Sequence, residues 1–184
     1  MRLFVGLDLP WEARRRLAML GAGGGVAGGS IPGARWVPMV NYHLTLRFIG
    51  EVPAYRAEEV DDALAALRAK RFALELAGVG VFAKGGRDTT LWVGVARNPA
   101  LDHLAGKVRT ALHRAGLAAE RRRFAPHVTL ARLDNAAPDK LAGFVQAHNL
   151  FRAGPIEVEH FTLFSSQLGK EAAVYTPEVE YDLA

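Results

Sequence analysis

Asn41-Tyr42-His43-Leu44-Thr45-Leu46 sets a histidine and a threonine two residues apart in an apolar run, and Pro126-His127-Val128-Thr129-Leu130 repeats the arrangement 84 residues later. Side chains of a β-strand alternate between faces, so in each segment the imidazole and the hydroxyl share one face and the aliphatic residues share the other. Two such strands side by side set two histidines around a pocket floored by two hydroxyls. That arrangement suits acid–base chemistry on a phosphate. One His-x-Thr strand alone would say little, and it is the second copy that gives the first its weight.

The surroundings extend the duplication. Leu3-Phe4-Val5-Gly6-Leu7 starts 40 residues before His43, and Leu91-Trp92-Val93-Gly94-Val95 starts 36 before His127. Strand-like runs begin 29 residues after each histidine, at Phe72 and Ile156, and again 48 after, at Leu91 and Tyr175. Such self-similarity predicts two copies of one supersecondary unit, with the histidines equivalent about an approximate twofold axis.

Outward from the motifs, Met1 to Leu9 reads as a buried strand and Pro10 as a helix start, with Leu17 and Leu20 on the apolar face. Gly21 to Gly29 is a loop without the Gly-Lys-Ser/Thr ending of a phosphate-cradling P-loop. Arg35-Trp36-Val37 and Tyr42 to Ile49 read as strands. Pro53 opens a helix with Val60, Ala63, Leu64 and Leu67 on one face, and its Glu58, Glu59, Asp61 and Asp62 form a solvated face. Phe72 to Phe82 and Thr89 to Val95 make a hairpin, and Asn98-Pro99 starts a helix that buries Leu101, Leu104, Val108 and Leu112. A helix near Pro138 to Gln146 and strands around Ile156 to Phe164 and Val174 to Leu183 complete the chain. His103, His113, His148 and His160 belong to no motif and read as surface or packing residues. Arg121-Arg122-Arg123 is open to two readings, a solvated turn or a cationic rim beside His127. The whole predicts an α+β fold of two similar lobes, each a small, largely antiparallel sheet with helices outside.

The 184 residues suit one domain, and half are hydrophobic. The absence of cysteine excludes disulfides, thiolate metal sites and a cysteine nucleophile, and fits a reducing cytoplasm. Leu3 to Leu9 is interrupted by Asp8 and has no cationic leader, so no signal peptide is expected. No run approaches the ~20 apolar residues of a membrane span. The net charge of +4 favours an anionic partner. Neither motif brings a carboxylate or a second histidine at helical spacing, so no metal is expected.

His43-Leu44-Thr45-Leu46-Arg47-Phe48-Ile49-Gly50-Glu51 and Phe124-Ala125-Pro126-His127-Val128-Thr129-Leu130-Ala131-Arg132 resemble the paired motifs of the 2H phosphoesterases. Within them the chain resembles the LigT-type RNA 2′,3′-cyclic phosphodiesterases, also called 2′-5′ RNA ligases. The likeness includes Met1 to Leu7, Arg35-Trp36-Val37 and Leu163-Phe164-Ser165-Ser166, so that it runs over nearly all of residues 1–184. It implies a single bilobal domain with one motif per lobe, at 43–46 and 127–130, and a site in the cleft between them. It implies hydrolysis of RNA or nucleotide 2′,3′-cyclic phosphate ends to 2′-phosphates by a cytoplasmic monomer without cofactor. His43 would be the proton donor, His127 the proton acceptor, and Arg132 a phosphate ligand beside Thr45 and Thr129. By strict alternation Arg132 lies opposite His127, so the strand must end or bulge for its guanidinium to reach the site. Arg47 falls on the His43 face and is a further candidate, and Trp36, Phe48 and Phe124 offer rings for a base or for the core. The alternatives are 2′-5′ ligation of RNA (tRNA) halves and an RNA-end-binding module without catalysis.

Overall fold

A computed structural model describes residues 1–21 and 31–184, so all of the glycine-rich loop but Gly21 lies outside the described residues. In chain order the elements are β1 (Arg2–Asp8), α1 (Trp11–Leu20), β2 (Ala34–Trp36), a 3-10 turn (Met39–Asn41), β3 (His43–Glu51), α2 (Ala54–Ala65), β4 (Phe72–Lys84), β5 (Arg87–Val95), α3 (Pro99–Arg114), β6 (His127–Leu133), α4 (Pro138–His148), β7 (Arg152–Val158), β8 (His160–Leu168) and β9 (Ala173–Asp182). The fold is α+β, as the alternating and helical periodicities predict.

The strands run β7-β4-β5-β6-β3-β1-β8-β9, every pairing is antiparallel, and β2 attaches to β6. The two motif strands are neighbours, joined through the single pair Leu44↔Val128. Instead of two separate sheets there is one nine-stranded sheet with a narrow seam, four strands of that order to each side and β2 added on β6. Burial explains the register. Leu44, Val128 and Leu130 are fully buried and Leu46 nearly so, in one core with Leu101, Leu104, Val108 and Leu112 of α3. Each such side chain contributes roughly 1.5–3 kcal/mol by leaving water, and a one-residue slip would turn the histidines inward in their place.

About the seam, β3 corresponds to β6 and β1 to β5, as the spacing predicts. Farther out the spacing misleads. It pairs Phe72 with Ile156, yet β4 and β7 are direct neighbours; the counterpart of β4 is β8, the strand beside β1. Likewise β9 is an outer strand, not a second β5. Distance along the chain does not say which edge a strand will join. After α2 the chain crosses to the far half, whereas after α4 it stays to pair with β4 and crosses only at Glu159, between β7 and β8.

Local chemistry fixes the boundaries. The Asn98 side chain accepts from the Leu101 N–H at 3.0 Å and caps α3. Gly85 and Gly86 have φ of 60° and 77°, the two positive values that a two-residue hairpin between β4 and β5 requires. One acidic residue of α2 departs from the solvated face: Asp61 accepts the Tyr181 hydroxyl at 2.7 Å and ties α2 to β9.

Candidate active site

The seam sets four polar side chains in a square. With Leu44 opposite Val128 in an antiparallel pair, His43 falls across from Thr129 and Thr45 across from His127. All four are half-buried on the face opposite the core leucines. The two imidazoles occupy one diagonal and the two hydroxyls the other.

A bulge in each strand then departs from strict alternation. Against β5, Thr129 pairs with Trp92 but Ala131 with Leu91, which leaves Leu130 as the extra residue. Against β1, Thr45 pairs with Gly6 but Arg47 with Val5, which leaves Leu46 extra. The bulges are equivalent, each three residues after its histidine. In β6 the bulge returns Arg132 to the open face, where its Nη1 lies 3.5 Å from the Thr90 hydroxyl. In β3 it puts Phe48 there, 52% exposed beside Phe4 at 6.0 Å between centroids. Arg47 is turned away from the His43 face that alternation gave it. Its guanidinium donates to the Ala118 carbonyl at 2.7 Å and pairs with Glu120 at 3.5 Å, pinning the segment that leads into β6. Trp36 packs on Phe144 of α4 at 5.8 Å, and Phe124 is half-buried against the core.

Both imidazoles are held in the same way. Nδ1 of His43 lies 2.7 Å from the Asn41 carbonyl, and Nδ1 of His127 lies 2.7 Å from the Ala125 carbonyl. A carbonyl only accepts, so each Nδ1 carries the hydrogen and each neutral ring keeps its Nε2 lone pair. His43 Nε2 is 3.1 Å from Thr45 Oγ1. The Asn41 turn is itself clamped, because Arg14 donates to the carbonyls of Val40 (2.6 Å) and Leu9 (2.8 Å) and pairs with Asp8, while the Asn41 side chain donates to the Ala173 carbonyl at 2.8 Å. Aromatic walls complete the support. Phe4 and Tyr175 flank His43 at 4.8 and 5.0 Å, and Phe82 meets His127 edge-on at 4.8 Å. An added Cβ at Gly80 would lie 2.4 Å from the Trp92 ring, so only glycine lets that indole lie where it does, 6.4 Å from His127.

Burial holds the pKa of both histidines below the ordinary imidazole value, against the opposing effect of the carbonyl each donates to. The Arg132 guanidinium lowers both further, and Arg14 and His127 add to the effect on His43. Two neutral imidazoles beside a cation await an anion that can draw a proton onto one of them. Among the described residues no three histidine, aspartate or glutamate side chains gather as a metal would need.

The profile of the 2′-5′ RNA ligase superfamily matches residues 30–170, which include both histidine motifs. The chain belongs to the 2′-5′ RNA ligase superfamily. Similar members include an RNA 2′,3′-cyclic phosphodiesterase of Aeropyrum pernix, 36% identical over 73% of this chain and 78% of that one. The protein of that name in Escherichia coli is 31% identical over 96% of this chain and 93% of its own. Among solved structures, E. coli LigT complexed with 3′-AMP superposes with a TM-score of 0.78 at 29% identity, covering 99% and 97% of the two chains. TT0787 of Thermus thermophilus gives 0.76 at 26% identity, with the same coverage.

In this member of the superfamily the fold brings together His43, Thr45, His127, Thr129 and Arg132, the set read from the sequence. It leaves the remaining histidines outside: His103 and His113 are exposed residues of α3, His148 meets Phe144 at a tilt, 4.5 Å between centroids, and His160 faces Glu180 at 3.7 Å. Glu120 faces Arg47 of β3 and Arg122 of its own loop. Sequence reasoning missed Phe4 and Phe82, whose runs are apolar on both faces and give no sign of which ring faces the site, and Tyr175, whose strand is far from both motifs in the sequence. It missed the Arg14 clamp as well, because α1 and the Asn41 turn approach each other only in the fold.

Proposed function

We propose that the protein hydrolyses RNA 2′,3′-cyclic phosphate ends to 2′-phosphates by acid–base catalysis at His43 and His127. The observation that carries the reading is the diagonal square of two imidazoles and two hydroxyls on one open sheet face, with Arg132 returned to that face by a bulge. Each imidazole presents an Nε2 to the substrate because its Nδ1 is committed to a carbonyl. One ring takes the proton of an attacking water and the other gives a proton to the departing ribose oxygen, on opposite sides of phosphorus. Thr45, Thr129 and Arg132 donate to the non-bridging oxygens as charge builds there. Relatives named RNA 2′,3′-cyclic phosphodiesterase support the substrate class.

The twofold axis is broken in a way that orients the substrate. Phe4 and Phe48 stand in β1 and β3 where Thr90 and Arg132 stand in β5 and β6. The exposed Phe48 ring suits a base and Arg132 suits the phosphate. In this reading His43 is the donor to the 3′ oxygen and His127 the base, as the family resemblance implies. No helix among the described residues is long and apolar enough to cross a membrane. Phosphorus NMR of a nucleoside 2′,3′-cyclic phosphate incubated with the protein and a chelator tests the reading. The expected product is the 2′-phosphate alone. A 3′-phosphate, or turnover that stops with chelator and returns with zinc or manganese, overturns it.

A further inference from the structure

In the short pairing of β2 with β6, Arg35 lies directly opposite Arg132. Residues opposite each other across an antiparallel pair project on the same side with Cβ atoms roughly 4.5–5.5 Å apart, where like charges repel. Alternation along β2 agrees: Trp36 turns to Phe144 on the helix side, so Arg35 turns to the open face that carries the histidines. Among the described residues neither arginine has a carboxylate within ion-pair distance, and the only side-chain partner of Arg132 is the Thr90 hydroxyl. A second pair of facing cations, Lys84 opposite Arg87, ends the β4–β5 hairpin at the same end of the sheet. Among the described residues Lys84 and Arg87 also have no ion pair, and the two cation pairs on adjoining strands form a surface that an anion would relieve.

We propose that Arg35, facing Arg132 and continued by Lys84 and Arg87, forms a subsite for the internucleotide phosphate next to the reacting one, so that the protein prefers a strand to a lone nucleotide. The inference rests on the hydrolase reading above and adds to it the residues that hold the strand's next phosphate. The division between the arginines follows from their places. Arg132 lies near enough to act on both imidazoles and serves the reacting phosphate, whereas Arg35 acts on neither and lies toward the next one along the strand. A planar guanidinium grips a phosphate with two parallel hydrogen bonds, and cross-strand arginines can hold successive phosphates without reaching a base. Recognition is therefore of backbone, not of sequence.

The test compares a nucleoside 2′,3′-cyclic phosphate with a dinucleotide that ends in the same cyclic phosphate and carries one internucleotide phosphate. The protein should turn over the dinucleotide with a kcat/KM about 10-fold higher, an advantage that shrinks as salt rises because one more counterion is released on binding. In Arg35→Gln the ratio between the two substrates should fall to near one, and in Arg35→Lys it should be partly retained. In parallel, fluorescence anisotropy with a labelled dinucleotide that ends in a 3′-phosphate should show about 10-fold weaker binding by Arg35→Gln. Equal turnover of the two substrates by the unmodified protein, or an equal loss on both in Arg35→Gln, overturns the subsite. If neither cyclic phosphate is hydrolysed the catalytic reading fails, and the anisotropy comparison still decides the subsite. Circular dichroism of Arg35→Gln shows whether the exposed substitution leaves the fold intact.

Discussion

Arg132→Gln removes the one cation that acts on both imidazoles and leaves a planar donor for Thr90. Two effects follow. The first is loss of a charge-assisted contact to the phosphate as its charge builds. Removing one such preorganised donor costs roughly 10²–10³-fold, and the exposure of Arg132 to solvent screening points to the lower end, about 10²-fold or ~2.7 kcal/mol. The second effect is on protonation. A cation disfavours the imidazolium, so its removal raises both pKa values, and both limbs of the kcat/KM profile against pH move alkaline. Arg132→Lys keeps a charge without the two-pronged geometry, so it should hold the limbs near their original places while losing roughly 10-fold in rate. The assay is steady-state hydrolysis of a nucleoside 2′,3′-cyclic phosphate across pH, beside NMR titration of the imidazole carbons. Limbs that stay in place or move acid in Arg132→Gln, or a rate loss of less than about threefold, would refute the placement of this residue at the phosphate.

Thr45→Val and Thr129→Val should each lose ~1–3 kcal/mol of transition-state stabilisation through a missing hydrogen bond, with serine tolerated at both; kcat/KM for the four variants checks this. Because both histidines titrate below the ordinary value of ~6.5, the unfolded chain binds more protons than the native one just below that pH. Stability is therefore full above ~6.5 and falls as pH drops through the folded values, which thermal melts should show and a His43→Gln/His127→Gln variant should flatten. Gly80→Ala would put a Cβ 2.4 Å from the Trp92 ring and displace the indole. The expected cost is ~1–3 kcal/mol in denaturant unfolding with a reduced kcat, both largely relieved by adding Trp92→Leu.

The site's centre is legible in the sequence because period-two alternation is enough to put His43 with Thr45 and His127 with Thr129. The two bulges are not legible. Leu46 and Leu130 are ordinary strand leucines, and nothing in their chemistry announces an extra residue. Alternation therefore misplaces Arg47, and admits Arg132 only on the condition of a bulge that the fold supplies. The inner strands follow the repeat because each pairs beside its own motif. The outer strands do not, since equal spacing after the histidines carries no information about which half the chain enters. The break at Glu159 between β7 and β8 is hidden for a related reason. Residues 156–164 read as strand on both sides of it, and only the crossing from one half of the sheet to the other separates them.

The central claim is that the two imidazoles act as one acid–base unit, and a mutant cycle on them tests it most directly. His43→Ala and His127→Ala should each lower kcat for a nucleoside 2′,3′-cyclic phosphate by ~10²–10⁴-fold while the melting profile remains cooperative. The double variant should lose little beyond either single one, because a proton delivered without its counterpart removed advances nothing. Losses that simply multiply, or a single variant that retains near-native turnover, would contradict the account.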